Sequence, residues 1–152
     1  MGFIGRTDEL KTLITEYKKS KSSLVVLYGR RRIGKSSLIE SFSRKLPHLI
    51  IDGLENQSTL EQIDYFRKQL SNQLHDPILD DVIWTEWTKV FDYLTRYTEK
   101  QKNKVVIFLD EFQWLSCHQS KLVALIKSYW DQSWNRSGKI CLILFGYVSN
   151  FM

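Results

Sequence analysis

The octapeptide Gly29-Arg30-Arg31-Arg32-Ile33-Gly34-Lys35-Ser36 constrains this chain more than any other feature, because it fits the pattern G-x-x-x-x-G-K-[ST]. Glycines in this pattern let the backbone curl until several N–H groups point at one spot, which the N-terminus of the next helix also polarises. Lys35 then reaches the outer phosphates of a ligand, and the Ser36 hydroxyl binds Mg²⁺. The alternative is a glycine-rich turn without a ligand.

The flanks of the octapeptide favour the phosphate-binding loop. The run Ser23-Leu24-Val25-Val26-Leu27-Tyr28 is typical of a buried parallel strand. After the loop, apolar residues recur at helical spacing and a proline ends the pattern: Leu38, Ile39, Phe42, Leu46 and Pro47. The side chains of Arg30, Arg31 and Arg32 either raise the local positive potential or, for at least two of them, point into solvent.

A second buried strand ends in two carboxylates, in the run Lys104-Val105-Val106-Ile107-Phe108-Leu109-Asp110-Glu111. Charges at the tip of a core strand are costly to bury without a function, although a solvated turn is the alternative. Together with the phosphate-binding loop, the pair predicts that Asp110 holds Mg²⁺ and that Glu111 is the general base that orients the attacking water.

Three segments carry a resemblance to a family: Phe3-Ile4-Gly5-Arg6-Thr7-Asp8-Glu9-Leu10, Leu27 to Ser36, and Leu109-Asp110-Glu111-Phe112-Gln113-Trp114-Leu115. They resemble the archaeal-type ATPases of archaea and bacteria, which belong to the AAA+/STAND group, and the likeness covers nearly the whole chain. The resemblance implies ATP and Mg²⁺ as ligands and a position near the adenine for the opening Ile4-Gly5-Arg6.

The resulting site prediction has three parts. Lys35 and Glu111 are the expected catalytic residues, and Ser36 and Asp110 the expected Mg²⁺ ligands. The expected nucleotide-binding residues are Ile4, Gly5, Arg6, Gly29, Arg30, Arg31, Arg32, Ile33, Gly34, Lys35, Ser36 and Ser37.

Alternating strands and helices predict an α/β fold, a mostly parallel three-layer sheet flanked by helices. We expect one domain, residues 1–152, forming a P-loop ATPase core that lacks the fifth strand and the helical lid with which relatives continue. The residue pattern also predicts a first helix capped by Thr7 or Asp8, a loop from Pro77 to Ile83, and one helix over about Gln119 to Trp134.

The sequence departs from the family pattern near its end. Relatives place a small hydroxyl residue after the glycine of the last strand, whereas Tyr147 follows Gly146 here, and Ser149 or Asn150 could substitute only if the backbone shifts. Gln113, beyond the acidic pair, either relays the nucleotide state or is an exposed polar residue.

Composition narrows the class of protein. The formal charge of +5 and the pI near 9.2 permit an anionic partner but do not require one. Cys117 and Cys141 fit no paired spacing, and no apolar run is long enough for a signal peptide or a membrane span, so we expect a cytoplasmic protein without a membrane partner.

Trp84, Trp87 and Trp130 recur at helical spacing, which favours core packing over base stacking.

Four functions remain open on this basis. The first is Mg²⁺-dependent ATP hydrolysis, and the second is a nucleotide-binding module with little hydrolysis. The others are a DNA-associated ATPase, which net charge supports only weakly, and a small-molecule kinase. Expected partners are ATP and either further copies of the chain or a C-terminal partner domain. Arg96 and Arg136 are candidates for an arginine that completes the site by residue type alone.

Overall fold

The computed structural model describes residues 2–29, 35–116 and 120–147. Four strands are present there: β1 (Ser23–Gly29), β2 (His48–Asp52), β3 (Val105–Asp110) and β4 (Ile140–Tyr147). The helices are α1 (Gly2–Lys18), α2 (Lys35–Ser43), α3 (Thr59–Leu74), α4 (Ile78–Asp81), α5 (Trp87–Glu99), α6 (Phe112–Leu115), α7 (Ser120–Tyr129) and α8 (Asn135–Ser137), with a π-helical segment, Trp130–Trp134, between the last two.

The four strands form one sheet in the order β1-β4-β3-β2, and every neighbouring pair is parallel. Gly29 of β1 lies opposite Tyr147 of β4, and Asp52 of β2 lies opposite Asp110 of β3. All four strands therefore end at one edge of the sheet, which we call the carboxyl edge, and begin at the opposite one, the amino edge. The α/β fold with a parallel, helix-flanked sheet is confirmed.

Both faces of the sheet are buried, which gives three layers. Val105, Ile107 and Leu109 of β3 pack towards α3, α5 and α7, whereas Val106 and Phe108 pack towards α1 and α2. Successive side chains of a strand point to opposite faces, so a continuous apolar run is what a strand covered on both sides requires.

Glutamine side chains of α3 cover the outer edge of β2. Gln73 accepts from the Ile50 N–H at 2.9 Å and donates to the Ile50 carbonyl at 2.7 Å, and Gln69 makes the same pair of bonds with Asp52 at 2.9 and 3.0 Å. An open strand edge invites pairing with other chains, and these amides occupy it.

Three predicted segments differ in the structure. The first helix begins at Gly2 rather than at Thr7 or Asp8, and the expected loop from Pro77 to Ile83 contains the helical turn α4, where burial of Leu79 and a bond from the Ile78 N–H to Asp76 Oδ1 (3.1 Å) order the backbone.

The helix predicted over about 119–134 changes to π geometry at Trp130. This change puts Tyr129 and Trp134, five residues apart, on the face towards α5, where Tyr129 Oη donates to Asp92 (2.7 Å) and Trp134 Nε1 donates to Thr95 (2.7 Å). The predicted core role of the tryptophans is confirmed: Trp87 is buried, and the partly buried Trp84 and Trp130 pack against the same cluster.

Candidate nucleotide-binding site

The predicted phosphate-binding loop joins β1 to α2 at the carboxyl edge. Gly29 is the last residue of β1, and Lys35 is the first of α2. Residues 30–34, which hold Arg30, Arg31, Arg32, Ile33 and Gly34, lie outside the described residues. The two elements that flank the loop are the strand and the helix that the motif requires, and they directly adjoin the loop on either side.

Asp110, at the end of β3, is buried, with 7% of its surface exposed. Its Oδ1 accepts from the Glu111 N–H at 2.8 Å, and its backbone carbonyl accepts from the Gly53 N–H at 3.0 Å. One strand, β4, separates β3 from β1. Because neighbouring strands lie about 4.8 Å apart, the ends of β1 and β3 are about 10 Å apart across the sheet.

Ser36 and Asp110 line the same cleft, which has a volume of about 480 Å³. The cleft runs along α2 from the carboxyl edge towards the amino edge, and its other lining residues come from α2, from the segment that follows it and from β2: Ile39, Glu40, Ser43, Arg44, His48 and Ile50. A hydroxyl and a carboxylate are oxygen donors of the kind that Mg²⁺ prefers, and Mg²⁺ usually takes only one or two protein ligands beside water and substrate phosphates. The donor set therefore fits this ion.

Glu111 follows β3 in an unusual backbone conformation, with φ 55° and ψ 40°. Its Oε2 accepts from Gln113 Nε2 at 2.9 Å and from Trp114 Nε1 at 3.0 Å. We call these two donors the Glu111 clamp. A left-handed residue that is not glycine costs about 1 kcal/mol or more, so surrounding contacts must hold it in place.

Gly53 supports this turn from the neighbouring strand. A Cβ at this position would lie 2.7 Å from the Glu111 carbonyl oxygen and 3.0 Å from the Leu115 nitrogen. Only glycine therefore lets the segment after β2 approach the turn after β3 so closely. Sequence reasoning missed Gly53; its position directly after the carboxyl end of a strand was the available signal.

Gln113 is buried, with 5% of its surface exposed, so the interpretation as an exposed polar residue is wrong. While its Nε2 donates to Glu111, its Oε1 is buried without a hydrogen-bond partner in the described part of the chain. A buried, unpaired carbonyl oxygen costs about 1–3 kcal/mol. Trp114 was also missed as a contact of Glu111, since nothing in the sequence marks its indole as a donor.

Four further residues predicted to bind nucleotide lie in helices. Ile4, Gly5 and Arg6 belong to the first turns of α1, and Ser37 follows Ser36 in α2. Tyr147 ends β4 beside Gly29, and Ser149 and Asn150 lie outside the described residues.

The structure does not bring the two arginine candidates to the site. Arg96 is in the last turn of α5 and Arg136 is in α8, so both lie towards the amino edge of the sheet.

The parallel sheet, with the phosphate-binding motif after β1 and the Asp110-Glu111 pair at the end of β3, places the chain in the class of P-loop ATPases. Residues 3–147 match the family model described as "ATPase domain predominantly from Archaea", and the chain belongs to this family.

Two proteins of Methanocaldococcus jannaschii are similar in sequence. One is an uncharacterised ATP-binding protein, 45% identical over 40 residues, which are 26% of this chain and 68% of that protein. The other is an uncharacterised protein, 26% identical over 129 residues, which are 85% of this chain and 26% of that protein.

Solved structures share the fold. The Walker-type ATPase of Pyrococcus abyssi has a TM-score of 0.62 at 20% identity, with 93% of this chain and 44% of that chain covered. The Aeropyrum pernix ORC2 protein, solved as ADPNP and ADP complexes, has a TM-score of 0.58 at 13% identity, with 96% and 40% covered. The chain thus spans less than half of either solved protein.

Among the described residues, none of the helices combines the length and the apolar character needed to cross a bilayer.

Proposed function

We propose that this chain binds ATP with Mg²⁺ at the carboxyl edge of its sheet and hydrolyses it. The observation that carries the proposal is the common cleft of Ser36, at the start of α2, and Asp110, at the end of β3. A hydroxyl from the phosphate-binding loop and a carboxylate at the end of another strand are the two protein groups that bind the metal in P-loop NTPases.

Each residue has a distinct task in this proposal. The backbone N–H groups around Gly34 and the Lys35 ammonium bind the phosphates, and Ser36 and Asp110 hold Mg²⁺, which when bound neutralises charge on the phosphate oxygens. Glu111 orients the attacking water and accepts its proton. The Glu111 clamp fixes the direction in which this carboxylate points.

Nucleotide binding is tested by thermal unfolding. ATP–Mg²⁺ at a hundred times its dissociation constant should stabilise the chain by about 2.7 kcal/mol. Lys35→Ala should lose this stabilisation. An unfolding curve that saturating ATP–Mg²⁺ leaves unchanged would refute the proposal at its first step.

Hydrolysis is tested by phosphate release without an added acceptor. Glu111→Gln keeps the size of the side chain and removes the base, so we expect at least a hundredfold slower release with the nucleotide-induced stabilisation retained. Glu55→Gln, at an exposed position outside the site, is the matched control. Stabilisation without release in the unmodified chain would favour a nucleotide-binding module, and release that requires a metabolite would favour a kinase.

The domain assignment of the chain is also a proposal. The chain covers 44% and 40% of the two solved structures described above, and residues 1–152 are proposed as the nucleotide-binding core. Arg96 and Arg136 lie towards the other edge of the sheet, so neither is proposed as the arginine that completes the site.

A further inference from the structure

Basic residues of four separate segments meet at the amino edge of the sheet. In each case a helix ends and the next strand begins: residues 18–22 lead into β1, 44–47 into β2, 100–104 into β3 and 135–139 into β4. Since all four strands are parallel, these segments lie side by side on the edge opposite the nucleotide site. We call them together the basic edge.

The charge of the molecule is strongly segregated. The basic edge holds ten of the 22 Lys and Arg residues and no Asp or Glu, so the rest of the chain carries twelve basic residues against all 17 acidic ones. The formal charge of +5 thus conceals an edge of +10 on a body of −5. In sequence the ten cations form short clusters, and the strand order turns them into one surface.

Two lysines tie the segments of the basic edge together. Lys104 Nζ donates to the carbonyl oxygens of Lys19 (2.8 Å) and Lys21 (2.7 Å), and Lys139 Nζ donates to the carbonyl of Gln101 (2.6 Å). Burial lowers the pKa of Lys104, which fits this internal role. The segments that precede β1, β3 and β4 are therefore cross-linked by hydrogen bonds.

Two further cations of the edge have acidic partners. Lys19 pairs with Glu16 at 2.6 Å and Arg44 pairs with Glu40 at 3.6 Å. The others are exposed and form no ion pair within the described ranges: Lys18, Lys21, Lys45, Lys100, Lys102 and Arg136.

Helix ends alone do not account for this density of charge. Four helices end at the basic edge, and a helix C-terminus is equivalent to about half a negative charge. Together they offset about two positive charges, and Glu16 and Glu40 offset two more, whereas the edge carries ten. Crowding the remaining cations costs repulsion, and a polyanion would relieve it.

We propose that the basic edge binds the phosphate backbone of double-stranded DNA. The four segments contain no aromatic residue, so they offer no platform for stacking the bases of a single strand. They also lack the band of large apolar side chains with which a protein enters a membrane interface. The outer strands are about 14 Å apart, a length over which duplex DNA carries about eight phosphates.

The six exposed cations without an acidic partner predict how the affinity for DNA depends on salt. If each neutralises one phosphate, the logarithm of the association constant falls with the logarithm of the salt concentration with a slope of about −5. Binding independent of sequence is expected, because the proposed contacts reach phosphates and not base edges.

The test compares two triple variants in a fluorescence-anisotropy titration with a labelled duplex at 50–200 mM salt. One variant is Lys18→Gln/Lys21→Gln/Lys102→Gln on the basic edge. The control changes three exposed lysines elsewhere, Lys89→Gln/Lys121→Gln/Lys127→Gln, and has the same net charge. The edge variant should reduce the magnitude of the slope by about 2.7 and weaken binding at 0.1 M salt roughly 500-fold, while the control retains the slope of the unmodified chain.

Three results would overturn the inference: no duplex binding at 50 mM salt, equal losses in both triple variants, or binding to phosphatidylserine vesicles without binding to DNA. ATP-induced stabilisation, measured on the same samples, should be equal in all three proteins, because the altered lysines lie away from Ser36 and Asp110. A failure of the nucleotide assays would therefore leave the DNA result interpretable, and a failure of DNA binding would leave the proposed ATPase untouched.

Discussion

Replacing Gln113 by leucine should lower the rate of ATP hydrolysis but leave the free energy of unfolding almost unchanged. The change removes the bond from Gln113 Nε2 to the Glu111 carboxylate, and it also removes the buried, unpaired Oε1. A hydrogen bond to a charged group contributes about 1.5–3 kcal/mol, and an unpaired buried carbonyl costs about 1–3 kcal/mol. These terms have opposite sign and similar size, so we expect the free energy of unfolding to change by less than about 1 kcal/mol.

The rate of hydrolysis should fall, because the two opposing terms cancel only in the free energy of unfolding. Glu111 then keeps one of the two donors of the clamp, Trp114 Nε1, and we expect its carboxylate to be held less firmly. A loss of about 1.4 kcal/mol in positioning lowers kcat roughly tenfold. KM should stay within twofold, because the phosphates and Mg²⁺ are assigned to Lys35, Ser36 and Asp110.

The assay pairs urea unfolding with steady-state phosphate release for the unmodified chain, Gln113→Leu and Trp114→Phe. The Phe variant removes the second donor of the clamp but keeps the unpaired Oε1 of Gln113, so it should lose both stability and kcat. An unchanged kcat in both variants would refute the positioning role. A loss of more than about 3 kcal/mol in Gln113→Leu would refute the energy balance.

Three further changes test the surrounding structure by urea unfolding. Gly53→Ala should destabilise the chain by about 1–3 kcal/mol, because its Cβ would lie 2.7 Å from the Glu111 carbonyl oxygen; a neutral result would contradict the close approach. Ser58→Ala should cost about 1 kcal/mol, since it breaks the capping box at the start of α3, and Ser58→Asn should restore most of this loss. Burial raises the pKa of the Cys141 thiol from 9.0 to about 11, so its native form stays protonated where the unfolded form ionises. Stability should therefore fall by about 1 kcal/mol per pH unit between about pH 9 and 11, and Cys141→Ala, although less stable throughout, should lack this part of the slope.

Local patterns in the sequence were sufficient to predict the elements around the site. The apolar run before Gly29 and the run that ends at Asp110 each fill a strand buried on both faces, and such a run has few alternatives in a chain of this size. The capping box of α3 is equally local, since Ser58 and Glu61 bond to each other's backbone and side chain. These features depend on neighbours within a few residues.

The features that the sequence did not predict depend on contacts between distant segments. The burial of Gln113 follows from the left-handed turn at Glu111, which sends α6 back across the edge of the sheet towards Gly53. The basic edge likewise arises only when β4 inserts between β1 and β3. Neither the turn nor the strand order leaves a periodic signal that can be read along the chain.

The distribution of energetic costs distinguishes the two edges of the sheet. At the carboxyl edge a left-handed glutamate and an unpaired, buried glutamine oxygen lie within three residues of each other, and together they cost about 2–6 kcal/mol. Domains of this size are stable by only about 5–15 kcal/mol, so this is a large fraction to concentrate around one carboxylate. At the amino edge the same sheet binds its segments together, with Lys104 and Lys139 each holding backbone carbonyls of another segment. The strained Glu111 therefore lies at one edge of a sheet whose opposite edge is cross-linked by hydrogen bonds. This division is expected if the strain at Glu111 is retained for catalysis rather than for stability.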